Sequence, residues 1–252
     1  MSISSLDRWL RFNLLNRKFS FKINLHDCID EWGNTYGKSG SHIFIKLIDN
    51  GGIKKDSFNI LKNWYADLNN QIERNLPVIS DKNNQGNIYF CPWENNRIRP
   101  VKKFLGSHKI GPTPDEFIND IISRLEGIYN QIKKNGYKKK NILQINLIRV
   151  IKVINKQGIE KYIIRDGQHR VAVLSSLNYS TIQVCFDADY HDNSRIFKYF
   201  YNLIKKGNLA RDANGTKIVN INEVEKWPHV LSGLISRDNA SKQFNRLFEK
   251  TK

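Results

Sequence analysis

The chain has 252 residues, a formal net charge of +17, a pI near 9.8 and 40% apolar side chains. That apolar share supports a packed core and excludes a disordered polymer, while the charge favours phosphate-bearing partners: a nucleic acid, a phosphorylated small molecule or an anionic lipid surface. Cys28, Cys91 and Cys185 are scattered with no Cys-x-x-Cys pair, which points to neither a disulfide framework nor a zinc ribbon. No apolar run approaches the roughly 20 residues that span a bilayer, and the first residues lack a signal-peptide core, so a cytoplasmic protein without a transmembrane segment is expected.

In chain order, residues 4–17 alternate Leu6, Trp9, Leu10, Phe12 and Leu14 with Arg8, Arg11 and Arg17, the pattern of an amphipathic helix. Gly33 to Ser39 is not a phosphate-binding P-loop: three residues separate its glycines where that motif has four, and the apolar run that follows reads as a strand over 40–48. The run 49–52 then reads as a hairpin turn, and 57–72 as a helix with Phe58, Leu61, Trp64, Tyr65 and Leu68 on one side. Residues 80–86 are a polar loop. The stretch 89–100 is dense in aromatic and basic residues that suit stacking on a base or sugar and charge pairing with a phosphate, which makes it the first candidate for a wall of an acceptor-substrate site, the other reading being an irregular surface segment anchored by Trp93 and Phe104.

Thr113, Pro114 and Glu116 read as the cap, first residue and capping-box acid of a helix that runs through Phe117, Ile121, Leu125, Ile128 and Ile132 to a stop at Asn135-Gly136. Lys133, Lys134, Lys138, Lys139 and Lys140 follow, where positive charge suits the helix dipole. Strand alternation over 141–154, a turn at 155–158 and a second strand over 159–165 make a hairpin. The second strand runs through Asp166-Gly167 into a helix whose buried stripe is Val171, Leu174 and Leu177. A helix begun this way has unpaired N–H groups and the positive dipole end at Gln168, His169 and Arg170, which stabilises an anion. Gly167 permits close approach and Arg170 offers a charge-assisted fork.

A further strand covers 181–186. If the chain stays extended, Asp187, Asp189 and His191 point the same way, with ligand types that suit a divalent metal or a proton acceptor. A helix over 194–206, a short strand at 217–221 and two helical segments broken by Trp227-Pro228 complete the chain.

Asp166-Gly167-Gln168-His169-Arg170, between its strand and helix, resembles the motif of DGQHR-type domains, and its surroundings resemble the nucleotide-binding motif of the ParB and sulfiredoxin superfamily. The resemblance covers residues 142–186 and, less closely, the preceding helix. It implies an α+β fold: a ParB/sulfiredoxin-like core, a small mixed sheet with packed helices, over 111–190, with mostly helical additions at 1–110 and 191–252. In that superfamily a Gly-x-x-Arg core holds nucleotide phosphates, a role carried here by Gly167 and Arg170, with Arg165, Gln168 and His169 completing the expected set. By the same resemblance Asp166 accepts a substrate proton or binds magnesium, His169 bonds a phosphate oxygen or aligns a reacting group, and one of Asp115 and Glu116, which otherwise read as capping residues, lies on the first core helix where it can face the nucleotide.

Two departures narrow the reading. Gln168 stands where sulfiredoxin has its reactive cysteine, which argues against sulfinic acid reduction. Gln168 and His169 stand where ParB has Glu and a second Arg, and no helix-turn-helix follows, which argues against chromosome partition. The expected function is therefore binding of ATP or another nucleoside triphosphate with Mg2+, and phosphoryl transfer to a small hydroxylated acceptor or hydrolysis. The alternatives are a DNA-binding regulator or ParB-like nuclease, and a non-catalytic nucleotide sensor.

Overall fold

The computed structural model describes residues 20–49, 51–75, 79–80, 86–88, 91–93, 99–100, 113–137, 148–186 and 218–249. Strands β1 (Phe21–Asn24) and β2 (Cys28–Ile29) are joined by a 3-10 turn at Leu25–Asp27. Helix α1 (Ile43–Lys46) leads to the two-stranded hairpin of β3 (Ile48–Asp49) and β4 (Gly52–Ile53), and α2 is Ser57–Asn75. β5 (Ile79–Ser80), β6 (Gly86–Ile88) and β7 (Arg99–Pro100) form a second small antiparallel sheet. α3 (Asp115–Asn135) precedes β8 (Ile148–Ile154) and β9 (Glu160–Asp166), and α4 (Gln168–Ser176) connects β9 to β10 (Thr181–Phe186). β11 (Ile218–Asn220) passes through a 3-10 segment, Ile221–Lys226, to α5 (Pro228–Leu231) and α6 (Arg237–Glu249).

The main sheet is mixed, in the order β1-β10-β8-β9-β2, and the protein is α+β. β1 is antiparallel to β10, β10 parallel to β8, β8 antiparallel to β9 and β9 parallel to β2. β11 also runs parallel to β8. Its Ile218 pairs with Lys152, only two residues beyond the Val150 that pairs with Phe186 at the end of β10. Strands from residues 21–29 and 218–220 thus complete the sheet, so the ranges read as additions share its hydrogen-bonded ladder with the 148–186 hairpin and helix.

The central hairpin forms because Asn155 organises its turn: Oδ1 accepts from the backbone N–H of Gln157 at 3.0 Å and of Ile159 at 2.8 Å, and Gly158 supplies φ of +78°. Alternation then sorts the side chains. Ile148, Val150, Ile164, Ile182 and Val184 face α3 and α4, where they meet Ile118, Leu125, Val171 and Leu174. Ile29, Ile151, Val153, Ile163 and Val219 face the opposite way, against Trp93, Trp227 and Phe244. Both faces are therefore buried. Each fully buried aliphatic side chain contributes about 1.5–3 kcal/mol of transfer free energy, which makes the register hard to slip.

Two expectations of the sequence are corrected. Residues 43–46 are helical rather than part of a strand over 40–48, although the 49–52 turn forms, with Ile48 opposite Ile53. Ile43, Phe44 and Ile45 are consecutive and all buried, a run without a period to choose between strand and helix. His42 decides it, because its Nδ1 accepts from the backbone N–H of Phe44 at 3.2 Å and caps the turn. The long helix begins at Asp115 with extended Pro114, not Thr113, at the cap and no side-chain capping bond. Its stop at Gly136, with φ of +68°, is as expected.

The loop from Asp30 to His42 is anchored at both ends of its path. The buried Asp30 carboxylate accepts from Trp32 N and Asn34 N, both at 2.8 Å, and from Asn34 Nδ2 at 2.7 Å. The buried Ser175 hydroxyl of α4 lies within hydrogen-bond reach of the carbonyls of both Tyr36 and Gly37 and donates its one proton there. Among the described residues no helix is long and apolar enough to cross a membrane. The expected helices over 4–17 and 194–206 lie outside the described residues.

Candidate functional site

At the end of β9 the chain turns at Gly167, which is left-handed with φ 92° and ψ 19°, and enters α4. The first bond within that helix runs from Val171 N to Gly167 O at 3.0 Å, so the amides of Gln168, His169 and Arg170 have no acceptor inside the helix and carry its positive dipole end. The Arg170 guanidinium folds back over this turn: a Cβ placed on Gly167 would lie 2.9 Å from Arg170 Nη2 and 3.0 Å from Ile148 Cγ1. Backbone amides at a helix start and a guanidinium at one bend are group types that can receive anionic oxygens.

Gly167→Ala should therefore do two things. It should cost about 1–2 kcal/mol for the left-handed backbone and push the guanidinium off the turn. Urea denaturation should show the loss as a lower midpoint with an unchanged slope. An unchanged midpoint would mean that the turn relaxes to accept a side chain.

The hairpin brings to this bend a residue that motif reading missed. A bulge between Arg149 and Val150 shifts the pairing by one, so Asp166 stands opposite Arg149. Arg149 Nε lies 3.4 Å from Asp166 Oδ2, with the two side chains 27% and 50% exposed. An ion pair so exposed adds little stability, and in this structure it places the guanidinium beside the carboxylate. The signal available in the sequence was only that a basic residue stands near the start of the strand paired to the motif strand.

Other residues assigned to the site by sequence are placed elsewhere. The Arg165 guanidinium, 3% exposed, pairs with Glu31 and lies 3.9 Å from Cys91 Sγ. It shares the sheet face of Ile163, opposite to the face that α4 covers, because neighbouring residues of a strand point to opposite sides. His169 turns inward. Its ring stacks on Phe44 with centroids 4.4 Å apart, and its Nε2 is buried. Phe44 meets His42 edge-on at 5.0 Å and His42 stacks on Tyr36 at 4.3 Å, so His169 heads a column of rings beneath the turn. Burial, and secondarily the neighbouring His169, pulls His42 down to about 3.

Glu116 is exposed on the first turn of α3, while Tyr137, just past the far end of that 21-residue helix, is the residue that feels the Arg170 charge. At 1.5 Å per residue the two ends are about 30 Å apart, so Glu116 does not reach the bend. Trp93 is buried between Trp227 and Phe244, at 5.4 and 5.5 Å, and so anchors its segment as the second reading had it. Asp187, Asp189 and His191 lie outside the described residues, and among the described residues no group of three His, Cys, Asp or Glu side chains is placed to hold a metal. The structure thus gathers Asp166, Gly167, Gln168 and Arg170, adds Arg149, and sets Arg165, His169 and Glu116 apart.

No protein-family model, no curated protein and no solved structure matches this chain.

Proposed function

We propose that the protein binds a nucleotide in the manner of the ParB and sulfiredoxin superfamily, and that it transfers a phosphoryl group from ATP or another nucleoside triphosphate to a small hydroxylated acceptor or to water. The observation that supports this reading best is the left-handed Gly167 at the head of α4 with the Arg170 guanidinium folded against it. The amides of Gln168 to Arg170 would receive phosphate oxygens, and Arg170 would neutralise their charge. Asp166, beside Arg149, stands at the strand end where it can take the proton of an acceptor hydroxyl or hold a magnesium ion that is otherwise ligated by phosphates and water. His169 acts from below as a support for the turn. A bound triphosphate supplies the transferable group, and the protein's part is placement and charge stabilisation.

Calorimetry with ATP, CTP and their diphosphates, in the presence of magnesium, tests the reading. A charge-assisted hydrogen bond is worth about 1.5–3 kcal/mol, so Arg170→Ala should weaken binding at least roughly tenfold. No heat with any of the four ligands would remove the nucleotide assignment. Binding without turnover would leave a nucleotide sensor. The net charge of +17 favours a second reading, a DNA-binding regulator or nuclease. It requires DNA binding at low salt with a steep loss as salt rises.

A further inference from the structure

Strands β1 and β2 lie at opposite edges of the main sheet, four strand spacings apart, which in a flat sheet is about 19 Å. Only the 3-10 turn Leu25–Asp27 joins them, and a chain that short spans at most about 14 Å from Asn24 to Cys28. The sheet therefore curls until its edges approach each other across that turn. The rings of Phe21 in β1 and Tyr162 in β9, which belong to strands with β10 and β8 between them, accordingly come to 6.1 Å.

A cavity of about 200 Å³ opens where the edges meet, lined by Lys22, Ile23, Asn24, Asp27, Tyr162 and Thr181. Asn24 and Thr181 are the last pair of the β1–β10 ladder, and Asp27 stands in the turn, one residue before the Cys28 that pairs with Tyr162. Asn24 Nδ2 donates to Asp27 Oδ2 at 3.3 Å, and His26 Nε2 lies 3.1 Å from Asp27 Oδ1. The turn thus holds an amide and a carboxylate side by side. Lys22, Asn24 and Thr181 are exposed, Tyr162 is half-buried and Ile23 is buried, so a polar rim surrounds an aromatic and aliphatic wall.

Three properties of this lining select a ligand. One cation, Lys22, and one anion, Asp27, leave it without net charge, which favours an uncharged molecule. Its polar groups set donors beside acceptors and add the Thr181 hydroxyl, which is both, and that mixture pairs with hydroxyl groups, which also donate and accept. Tyr162 supplies an apolar ring surface next to them. The volume falls below the roughly 300–1,000 Å³ of pockets for drug-sized ligands, so the hollow takes one small ring. We infer that it binds a monosaccharide, with the C–H face of the sugar on Tyr162 and its hydroxyls on Asn24, Asp27 and Thr181. The site is separate from the Gly167 turn, since Tyr162 and Asp166 are about 13 Å apart along β9, and the inference does not rest on nucleotide binding.

Amide chemical shifts of the isotopically labelled full chain, titrated in turn with D-glucose, D-galactose, D-mannose and D-ribose, test this. At least one sugar should give saturable shifts at Ile23, Asn24, Asp27 and Thr181. Asp27→Ala should weaken that binding by roughly tenfold to a hundredfold, the worth of one charge-assisted hydrogen bond. Thr181→Val, which keeps the β-branch at an exposed strand position and removes only the hydroxyl, should weaken it by roughly twofold to tenfold. No saturable shift with any of the four sugars, or affinities that neither substitution changes, would overturn the site. Glycine or phosphate saturating the same amides at lower concentration than every sugar would overturn the choice of an uncharged ligand. None of these results bears on the Gly167 turn.

Discussion

Replacing Glu31 by alanine should cost about 3–5 kcal/mol of folding stability, because it leaves a guanidinium charge inside the protein without its counter-ion. The Glu31 and Arg165 side chains are only 10% and 3% exposed, and they are contributed by the loop just after β2 and by the end of β9, so one contact ties the edge of the sheet to the motif strand. The pair itself need not be strongly favourable. Removing two charges from water offsets most of what their attraction returns, and the large cost belongs to breaking the pair from one side.

The double variant Glu31→Leu with Arg165→Met should accordingly recover most of the loss. Urea denaturation of the two variants checks this. A single-variant loss below about 1 kcal/mol would show that water reaches the guanidinium. The double variant also bears on function. If it folds and binds nucleotide as the wild type does, the phosphates are held without Arg165, as its position on the far face of the sheet implies.

The second large effect is a steep loss of stability in acid, carried by His42. In the unfolded chain an imidazole titrates near 6.5, and in the folded protein burial lowers His42 to about 3. Between those values the unfolded state binds a proton that the folded state does not, so stability is complete above about pH 6.5 and falls as pH drops toward 3. The slope from this one group approaches about 1.4 kcal/mol per pH unit.

Asp30 Oδ2 lies 3.8 Å from His42 Nε2. Its oxygens already accept three hydrogen bonds from Trp32 and Asn34, and the distance is too long for a fourth. His42→Asn keeps an acceptor for Phe44 N and removes the titration. It should lower stability at neutral pH through the lost stacking on Tyr36, yet flatten the fall between pH 6 and 4 in denaturant titrations at stepped pH. An identical slope in both proteins would assign the acid loss to other groups.

The elements that could be read along the chain are those whose cause is local. Asn155 and Gly158 dictate a turn, Gly136 stops a helix, and the apolar alternation of β8 and β9 follows from the strand period, whereas α4 has no one-sided stripe, since the five consecutive residues Val171 to Ser175 are all buried. Helix α1 could not be read, since three adjacent apolar residues carry no period and the deciding cap is an imidazole nitrogen.

The sequence by itself determined the strand, the left-handed glycine and the helix that follows it, because these depend on backbone preferences and on contacts within a few residues. Which side chains meet at that bend was decided only by the tertiary structure. Regular pairing from the Asn155 turn would set Arg149 opposite Arg165, and the bulge moves it to Asp166. Burial of both sheet faces sends Arg165 to Glu31, and the ring of Phe44, from 125 residues earlier in the chain, draws His169 inward. Register, facing and stacking are settled by which apolar surfaces can be covered at once, a property of the assembled chain and of no single stretch of it.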